Sequence, residues 1–399
     1  MRKIKRVLCT RRTALLGIAG AIAEITGCGG GGGGADVAGL SSGGTGSFTS
    51  GTISGFGSII VNGIRYNDDN ASILSRDESN ANNLALELGM VVNIEGSAVT
   101  PAASATGLPT ATAYRITYGS EWIGPVSNKG ATTFEILGHT VDVLATTFFG
   151  GAVQQFADLT TAHFVEIYGF VDQVDGHIQA SRIEVSLVQP ASYKLSGAIS
   201  QINAAGRSAN LGLTAINWSS PAVLPAGTAD ESFVRVRLNP IPSGAVWTAS
   251  QIELLNSPLA DLQDDHEYEA EVHGSITSYQ SSANFIVNGI PVNAASARIT
   301  GTLAAGVVVE VEGNIRTGQL IASKVQVKTS SEIESQEFEF YGVISNVTAQ
   351  TFEVRGQTFY YDSRTENRSL LTITPLPYVE VKASRSNGRW YAFEIDLED

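Results

Sequence analysis

Cysteine and methionine are scarce in this sequence. Cys9 and Cys28 are the only cysteines in 399 residues, and only 2 methionines occur. If a leader is removed just before Cys28, no cysteine pair remains to form a disulfide. That removal also excludes thiolate zinc sites and cysteine nucleophiles from the folded part of the chain. Packing must then stabilise the protein.

Positive charge is scarce as well. The chain has 25 lysines and arginines against 39 aspartates and glutamates, a net charge of -14. Residues 1–27 carry a net +5, so the remaining residues carry about -19. Such a body repels nucleic acid and anionic lipid, and its few basic residues are not interleaved with aromatic ones. We therefore expect no nucleic-acid partner.

Glycine is the abundant residue. The 42 glycines favour many short strands joined by turns over long helices. A hydrophobic fraction of 43% with 16% charged residues is typical of a chain that buries a core. The four tryptophans take different positions relative to the repeats described below, which is typical of core or rim residues. These features predict an all-β protein, and we expect no cofactor.

The amino terminus has the features of an export signal. Basic residues between Arg2 and Arg12 precede the ten-residue apolar run Ala14–Ala23. A membrane-spanning helix needs about 20 apolar residues, so a cleaved signal peptide over residues 1–27 is favoured over a permanent anchor helix. Thr10–Leu16 also resembles a twin-arginine motif, and it leaves the twin-arginine and general export routes both open.

A short motif follows the apolar run. Ile25–Cys28 resembles the lipobox of bacterial lipoproteins, which implies acylation of Cys28 and a lipid anchor in the membrane. The glycines Gly29–Gly34 behave as a flexible coil, so residues 28–50 are interpreted as a tether. In a Gram-negative lipoprotein, glycine rather than aspartate after the cysteine implies transfer to the outer membrane.

Four sequence blocks recur along the rest of the chain. The first is a glycine followed by short strand-like residues: Gly51–Ser54, Gly124–Ser127, Gly197–Ser200, Gly274–Thr277 and Gly342–Ser345. The second is an apolar strand that ends in glycine: Ile60–Gly63, Phe134–Gly138, Phe285–Gly289 and Phe352–Gly356. The second block predicts a hairpin whose turn needs positive φ. The third copy lacks a clear counterpart.

The third and fourth blocks show strand alternation. Each third block has two apolar residues two apart, as in Val92 and Ile94. The residue between the two is expected on the opposite, solvent side of the strand: Asn93, Glu166, Arg235, Glu310 and Glu380. Each fourth block begins with alanine: Ala113, Ala180, Ala249, Ala322 and Ala392. Matching positions predict cross-strand ion pairs Glu166–Arg182 and Glu310–Lys324.

Each copy thus holds about five strand-sized segments and no amphipathic helix, which predicts a small antiparallel β-barrel. The expected repeats cover residues 51–120, 121–190, 191–258, 262–330 and 335–399. The blocks resemble domain-of-unknown-function family 5666, found in repeated copies in bacterial lipoproteins. That resemblance implies an OB-like fold and no assigned activity. The third copy departs most, with Leu238 where the others place glycine or alanine. We expect few hydrogen bonds between repeats.

One segment could gather a cation. Glu267, Glu269, Glu271 and His273 occur two apart, so on a strand they share one face. The same spacing is also typical of the solvent face of a strand, and we favour that interpretation. No His/Ser/Asp assembly can be nominated from the remaining histidines.

The sequence therefore favours a non-enzymatic, lipid-anchored module of the cell envelope. Five similar domains suit multivalent binding of a glycan, peptide or envelope protein, or a spacer role. The alternative is an envelope hydrolase, which would need paired carboxylates or a nucleophile and base in one pocket.

Overall fold

A computed structural model describes residues 46–77, 85–102, 107–172, 176–262, 268–329, 338–386 and 388–398. These residues form 27 β-strands and three 3-10 helices, with no α-helix among them, so the predicted all-β fold is confirmed. Within the same ranges, no helix has the length and apolar character that crossing a membrane requires. The predicted signal peptide and Cys28 lie outside the described residues.

The strands fall into five consecutive groups, named barrels 1 to 5. Barrel 1 contains β1 (Gly46–Phe56), β2 (Ile59–Val61), β3 (Ile64–Asn67), β4 (Ser72–Ser75), β5 (Val91–Gly96) and β6 (Thr110–Tyr118). Barrel 2 contains β7 (Trp122–Pro125), β8 (Thr133–Ile136), β9 (His139–Gly151), β10 (Phe164–Asp172) and β11 (His177–Ser186). Barrel 3 contains β12 (Tyr193–Asn203), β13 (Ser208–Leu211), β14 (Thr214–Trp218), β15 (Phe233–Leu238) and β16 (Trp247–Leu254).

The last two groups complete the chain. Barrel 4 contains β17 (Tyr268–Ser281), β18 (Asn284–Val287), β19 (Ile290–Asn293), β20 (Arg298–Thr300), β21 (Val308–Arg316) and β22 (Gln319–Val327). Barrel 5 contains β23 (Phe338–Ser345), β24 (Thr351–Val354), β25 (Gln357–Tyr360), β26 (Tyr378–Ser386) and β27 (Arg389–Leu397). The 3-10 helices are Phe156–Asp158, Pro258–Asp261 and Arg368–Thr372.

The five groups share one pattern of strand connections, except that in barrel 2 the contact between the first two strands is a single bridge, Ser127–Glu135. In barrel 5, β23 pairs antiparallel with β24 and β26, β24 with β25, and β26 with β27. The parallel pair β25–β27 closes the barrel. The other barrels repeat this order, and β4 and β20 add one short strand each beside β6 and β22. A closed five-stranded Greek-key barrel is the OB-like fold that the sequence predicted.

Glycine turns form the hairpins as predicted. Each hairpin glycine has positive φ, and so does the residue before it: Asn62–Gly63, Leu137–Gly138, Asn288–Gly289 and Arg355–Gly356. Two successive positive φ angles define the type I′ turn, whose twist matches that of the paired strands. These turns confirm the predicted second block.

The prediction that the third copy lacks this hairpin is wrong. β13 and β14 pair with Leu211 opposite Thr214, which leaves Gly212 and Leu213 as a two-residue loop. Gly212 has φ +55, and no positive φ occurs at Leu213. Glycine at the first central position is typical of a type II′ turn. The sequence search missed this hairpin because its glycine occupies the other turn position.

Close packing explains the glycine that opens the first block. A Cβ atom added at Gly124 would lie 2.6 Å from Ile136 Cγ2, a buried side chain in the same barrel. At Gly51 and Gly274, an added Cβ would lie 2.1 Å from the side chains of Asn62 and Asn288. The hairpin folds over the first strand, so most copies need glycine there. Gly197 is different, since its nearest such contact is Leu211 Cγ at 3.7 Å.

The alternation of apolar residues in the third block is confirmed, but three of the residues between them are buried rather than exposed to solvent. The apolar pairs, such as Val92 and Ile94, are buried in the barrel cores. Asn93, Arg235 and Glu380 face away from those cores yet are only 5%, 4% and 4% exposed. The prediction of solvent exposure is wrong for these three because neighbouring parts of the molecule cover the outer faces of the barrels.

Strands also pair between repeats. Residues 46–50 of β1 run parallel to β17, with Gly46 opposite Tyr268 and Ser50 opposite Val272. The other end of β1 pairs with β23 of barrel 5. These pairings place barrels 1, 4 and 5 in one 17-stranded sheet, and barrels 2 and 3 form a 10-stranded sheet. The expectation of few hydrogen bonds between repeats is therefore wrong for β1.

The close approach of Gly124 to the side chain of Ile136 gives a stability prediction. We expect Gly124→Ala to lower the free energy of unfolding by about 1–3 kcal/mol, because the new methyl group overpacks Ile136. Urea unfolding followed by tryptophan fluorescence measures the change. Gly197→Ala is the matched control and should change stability little. Equal effects of the two substitutions would contradict this explanation.

Candidate binding cleft

The acidic segment that could gather a cation lies on β17. Glu269, Glu271 and His273 share the face of β17 opposite Ala270 and Val272, which belong to the core of barrel 4. Glu267, like Cys28, lies outside the described residues. The favoured interpretation as a solvent face is wrong, because Glu269 is only 6% exposed. β1 and β21 flank the strand on both sides, and β10 of barrel 2 lies against it.

Burial dominates the electrostatics of this face. Burial, together with the nearby charges of Glu310 and Glu312, raises the pKa of Glu271 to about 8. Burial and the charge of Lys328 lower the pKa of His273 to about 4. At neutral pH, Glu271 is therefore mostly protonated and His273 is an uncharged imidazole.

The described part of the acidic segment forms no metal site. Glu269 Oε1 and His273 Nε2 are buried without a hydrogen-bond partner. In the part of the chain that the structure describes, no three His, Cys, Asp or Glu side chains come together as a metal site. A cation site that includes Glu267 stays a prediction.

Buried charges meet where barrels 1, 2 and 3 come together. Lys194 Nζ lies 2.9 Å from Asp77 Oδ1, and Arg235 Nε lies 3.3 Å from the same oxygen. The backbone NH of Ser120 donates to Asp77 Oδ2 at 3.0 Å. Burial opposes ionisation of Asp77, but the two cations outweigh it and lower the pKa of that carboxyl group. Glu166 of barrel 2 accepts from Ser120 Oγ at 2.6 Å. We name Asp77, Ser120, Glu166, Lys194 and Arg235 the ion network; its two carboxylates and two cations join three barrels.

The predicted pairing of Arg182 with Glu166 is wrong. Arg182 binds Glu87 of barrel 1 and Glu184, and it donates to the carbonyl oxygen of Leu88 at 2.9 Å. Glu166 accepts instead from Ser120 Oγ at 2.6 Å. In barrel 4 the predicted pair is confirmed, with Lys324 Nζ 3.5 Å from Glu310 Oε1. The sequence could not show that another barrel supplies a partner for Arg182.

A cleft of about 610 Å³ lies between barrels 1, 2 and 5. This inter-barrel cleft falls within the size range of small-molecule sites, about 300–1,000 Å³. Aromatic and basic side chains from all three barrels line it, among them Phe56, Phe148, Phe340, Trp390, Arg182 and Arg385. No histidine, serine or cysteine is among the described residues that line it.

Packed aromatic rings form one wall of the cleft. The ring centroid of Phe148 lies 5.9 Å from that of Trp390, and Trp390 lies 5.0 Å from Phe340 in an edge-to-face arrangement. Phe148 comes from β9 of barrel 2, whereas Phe340 and Trp390 come from barrel 5. Trp390 therefore belongs both to the core and to the rim of the cleft. Such interlocked rings make a rigid apolar surface.

Arg385 is a cation of the cleft for which no described carboxylate forms an ion pair. Its guanidinium carbon lies 4.9 Å from the ring centroid of Phe148 and 5.7 Å from that of Trp390. Its Nε is buried without a hydrogen-bond partner, and no described carboxylate forms an ion pair with it. Burial and the charge of Arg182 lower the pKa of Arg385. This environment favours an incoming anionic group.

Sequence reasoning did not find this cleft. Arg385 belongs to no recognisable sequence motif. Phe148 and Trp390 are more than two hundred residues apart, so no local pattern relates them. Trp390 was expected in the core or the rim, and its 4% exposure agrees with burial. A weak signal was available, since Phe148 and Phe149 precede two glycines in a strand longer than its counterparts.

The raised pKa of Glu271 gives a pH prediction. The folded protein keeps this proton between roughly pH 4.3, the value of an unfolded glutamate, and pH 8, so stability falls as pH rises through that window. Glu271→Gln cannot ionise, and we expect the variant to be more stable than wild type at pH 8. Urea midpoints between pH 5 and 8 measure the difference.

Asp77→Asn is the control of opposite sign. Burial opposes ionisation of Asp77, but Lys194 and Arg235 outweigh it and lower the pKa, so this variant should lose stability at neutral pH. A Glu271→Gln variant with the same pH dependence as wild type would contradict the assignment.

Comparison with known proteins gives one match. No curated protein matches the chain. A family model described as a domain of unknown function, DUF5666, matches residues 123–184, 273–326 and 341–396. These segments lie in barrels 2, 4 and 5. The chain therefore carries a repeated domain, with three segments that match the domain of unknown function DUF5666.

Proposed function

We propose that this chain is a lipid-anchored, non-enzymatic binding protein of the bacterial cell envelope, and that the inter-barrel cleft is its binding site. The observation that carries the proposal is the unpaired guanidinium of Arg385 beside an aromatic wall, in a cleft of about 610 Å³. A preformed concave site with a few convergent polar groups is the usual form of a ligand pocket.

The chemistry of the cleft indicates the class of ligand. Arginine binds carboxylate and phosphate groups through paired hydrogen bonds, and aromatic rings pack against apolar faces. Arg182 is already held by Glu87 and Glu184, and Arg355 Nε donates to the carbonyl oxygen of Tyr341. Of the arginines that line the cleft, Arg385 is therefore the one we propose as the ligand-binding cation. We propose a glycan, a peptide or a segment of an envelope protein that carries one such anionic group. Nucleic acid is disfavoured by the charge of about -19 on residues 28–399.

A hydrolase is the less favoured function for this site. Glycoside hydrolysis needs two carboxyl groups on either side of the scissile bond. Glu87 and Glu184 both bind Arg182, so both carboxyl groups of the cleft are already engaged in ion pairs. The described lining residues offer no serine, cysteine or histidine for a nucleophile and base.

The arrangement of the barrels supports one composite site more than five equivalent ones. Three barrels contribute side chains to the cleft, and the outer faces of several barrels are covered by neighbours. We propose that barrels 1 and 3, which share the strand order of the other three, are divergent copies of the same domain. Barrel 1 contributes lining residues to the inter-barrel cleft, whereas barrel 3 pairs with barrel 2 through β12 and β7 and helps to position it.

The lipid anchor is supported by Ile25–Cys28 and by the glycine run after it. We expect Cys28→Ala to move the protein from the membrane fraction to the soluble fraction, because one lost anchor leaves an acidic body that membranes repel. Cell fractionation with immunoblotting measures the shift, and Cys9→Ala is the control that should stay in the membrane. A Cys28→Ala protein that remains in the pellet would refute the anchor.

The cleft itself can be tested with a panel of acidic glycans and short peptides. We expect at least one probe to bind saturably by isothermal titration calorimetry, and Arg385→Gln to weaken it by roughly 10- to 100-fold, as expected for losing a charged hydrogen bond. Arg389→Gln, an exposed arginine that does not line the cleft, is the control. Undiminished binding by Arg385→Gln would place the site elsewhere, and turnover of a probe would favour the hydrolase.

A further inference from the structure

The ion network brings an amine and a carboxyl group together inside the molecule. Lys194 Nζ lies 2.9 Å from Asp77 Oδ1, and the side chain of Lys194 has no exposed surface. Asp77 follows β4 of barrel 1, whereas Lys194 lies on β12 of barrel 3. The carboxyl carbon of Asp77 is one bond beyond Oδ1, so the amine lies beside the atom that it would attack to form an amide.

Burial makes the ion pair unfavourable relative to an amide. Desolvation lowers the pKa of Lys194, which favours the uncharged amine that acts as a nucleophile. Lys194 and Arg235 lower the pKa of Asp77, so its carboxyl group takes a proton from Lys194 rather than from solvent. Replacing a buried ion pair with uncharged groups is often neutral or stabilising. An amide carries no net charge, and water has little access to a fully buried lysine.

The two oxygens of Asp77 have different partners, and the difference suits amide formation. Oδ1 lies beside the ammonium group and can take its proton, which makes it the leaving oxygen. Oδ2 accepts from the backbone NH of Ser120 at 3.0 Å, and this donor stabilises negative charge on Oδ2 in the tetrahedral intermediate. Arg235, 3.3 Å from Oδ1, adds positive charge beside the same carboxyl group.

A hydroxyl group and a second carboxylate provide a path for the other proton. Lys194 Nζ donates to Ser120 Oγ, and Ser120 Oγ donates to Glu166 Oε1 at 2.6 Å. Through this hydroxyl, Glu166 can take a proton from the amine and return it to the leaving oxygen. Glu166 acts through Ser120, so it is a positioning residue for the reaction.

We propose that Lys194 and Asp77 condense to an isopeptide bond, which joins barrels 1 and 3 covalently. One proton passes from the ammonium group to Oδ1, the amine nitrogen bonds to Cγ, and a second proton follows through Ser120 and Glu166. The Cγ–Oδ1 bond then breaks and one water molecule leaves. Nζ keeps one hydrogen, and no oxidant or other reactant is needed. The ion network is the form in which the chain folds before this step.

The bond closes a covalent loop that contains the whole of barrel 2, since that barrel lies between Asp77 and Lys194 in the chain. Residues 29–399 contain no cysteine, so no disulfide can link these barrels. A covalent link across a long loop stabilises the folded chain mainly by restricting the unfolded one. The isopeptide bond therefore takes the place of a disulfide in this protein.

Mass spectrometry of the purified full chain tests the bond. Trypsin does not cut after an acylated lysine, so digestion should yield residues 77–115 joined to residues 183–207. The joined peptide should weigh about 18 Da, one water molecule, less than the sum of the two parts. It should also survive boiling with a reducing agent. Separate peptides 77–115 and 183–194, with no joined product, would overturn the proposal and leave the ion pair as the final state.

Lys324 is the control within the same digest. Its Nζ lies 2.6 Å from Glu312 Oε1, but the side chain is 32% exposed, so water reaches this pair. Trypsin should therefore cut after Lys324, and no link to Glu312 should appear. A link at Lys324 as well would show that contact alone is enough, and it would refute burial as the cause of the reaction.

Three variants separate the reaction from folding. Lys194→Met keeps a long side chain at the buried position but cannot form the bond, so the joined peptide should disappear. Glu166→Gln keeps an acceptor for Ser120 but no base, so it should have the circular dichroism spectrum of wild type. Its joined fraction, sampled after a pulse of synthesis, should rise roughly tenfold more slowly or less. Glu166→Asp should recover part of the rate. A Glu166→Gln protein that links as fast as wild type would refute the proton path.

Discussion

Lys194 has no exposed side-chain surface and lies where barrels 1, 2 and 3 meet. A buried charge at this position restricts which groups can pack around it. Burial lowers the pKa of Lys194, and Asp77, 2.9 Å away, opposes that shift. Arg235 and the backbone NH of Ser120 bind the same carboxylate. Removing one partner from such a group leaves an uncompensated buried charge, which is strongly destabilising. The ion network therefore fixes how barrels 1, 2 and 3 meet, because few other placements would satisfy all its charges.

The same constraint explains where the cavities lie. The barrel interiors are filled by apolar side chains such as Val92, Ile167 and Val381, all fully or almost fully buried. The outer faces carry polar residues that must find specific partners, so they cannot mesh as closely as apolar surfaces do. The inter-barrel cleft consequently lies between barrels, and a single copy of the domain would not contain it.

Much of each barrel could be predicted from local pattern. Alternation at Val379 and Val381 gave the inward face of a strand, and Asn288–Gly289 gave a hairpin, because both signals depend on neighbouring residues. The third-copy hairpin was missed only because Gly212 occupies the other turn position. The site was not predictable in this way. Phe148, Arg385 and Trp390 come from different strands of two barrels, and no spacing along the chain relates them.

By itself, the sequence determined the all-β class, the repeated five-strand unit and the turns within it, since side-chain period and turn chemistry are properties of short segments. It also determined that Glu269, Glu271 and His273 face away from the core of barrel 4. Only the tertiary structure decided what covers that face. Alternation shows which side of a strand a residue occupies, but whether that side meets water or another barrel depends on contacts between segments far apart in the chain. The buried charges, the shifted pKa values and the inter-barrel cleft follow from those contacts.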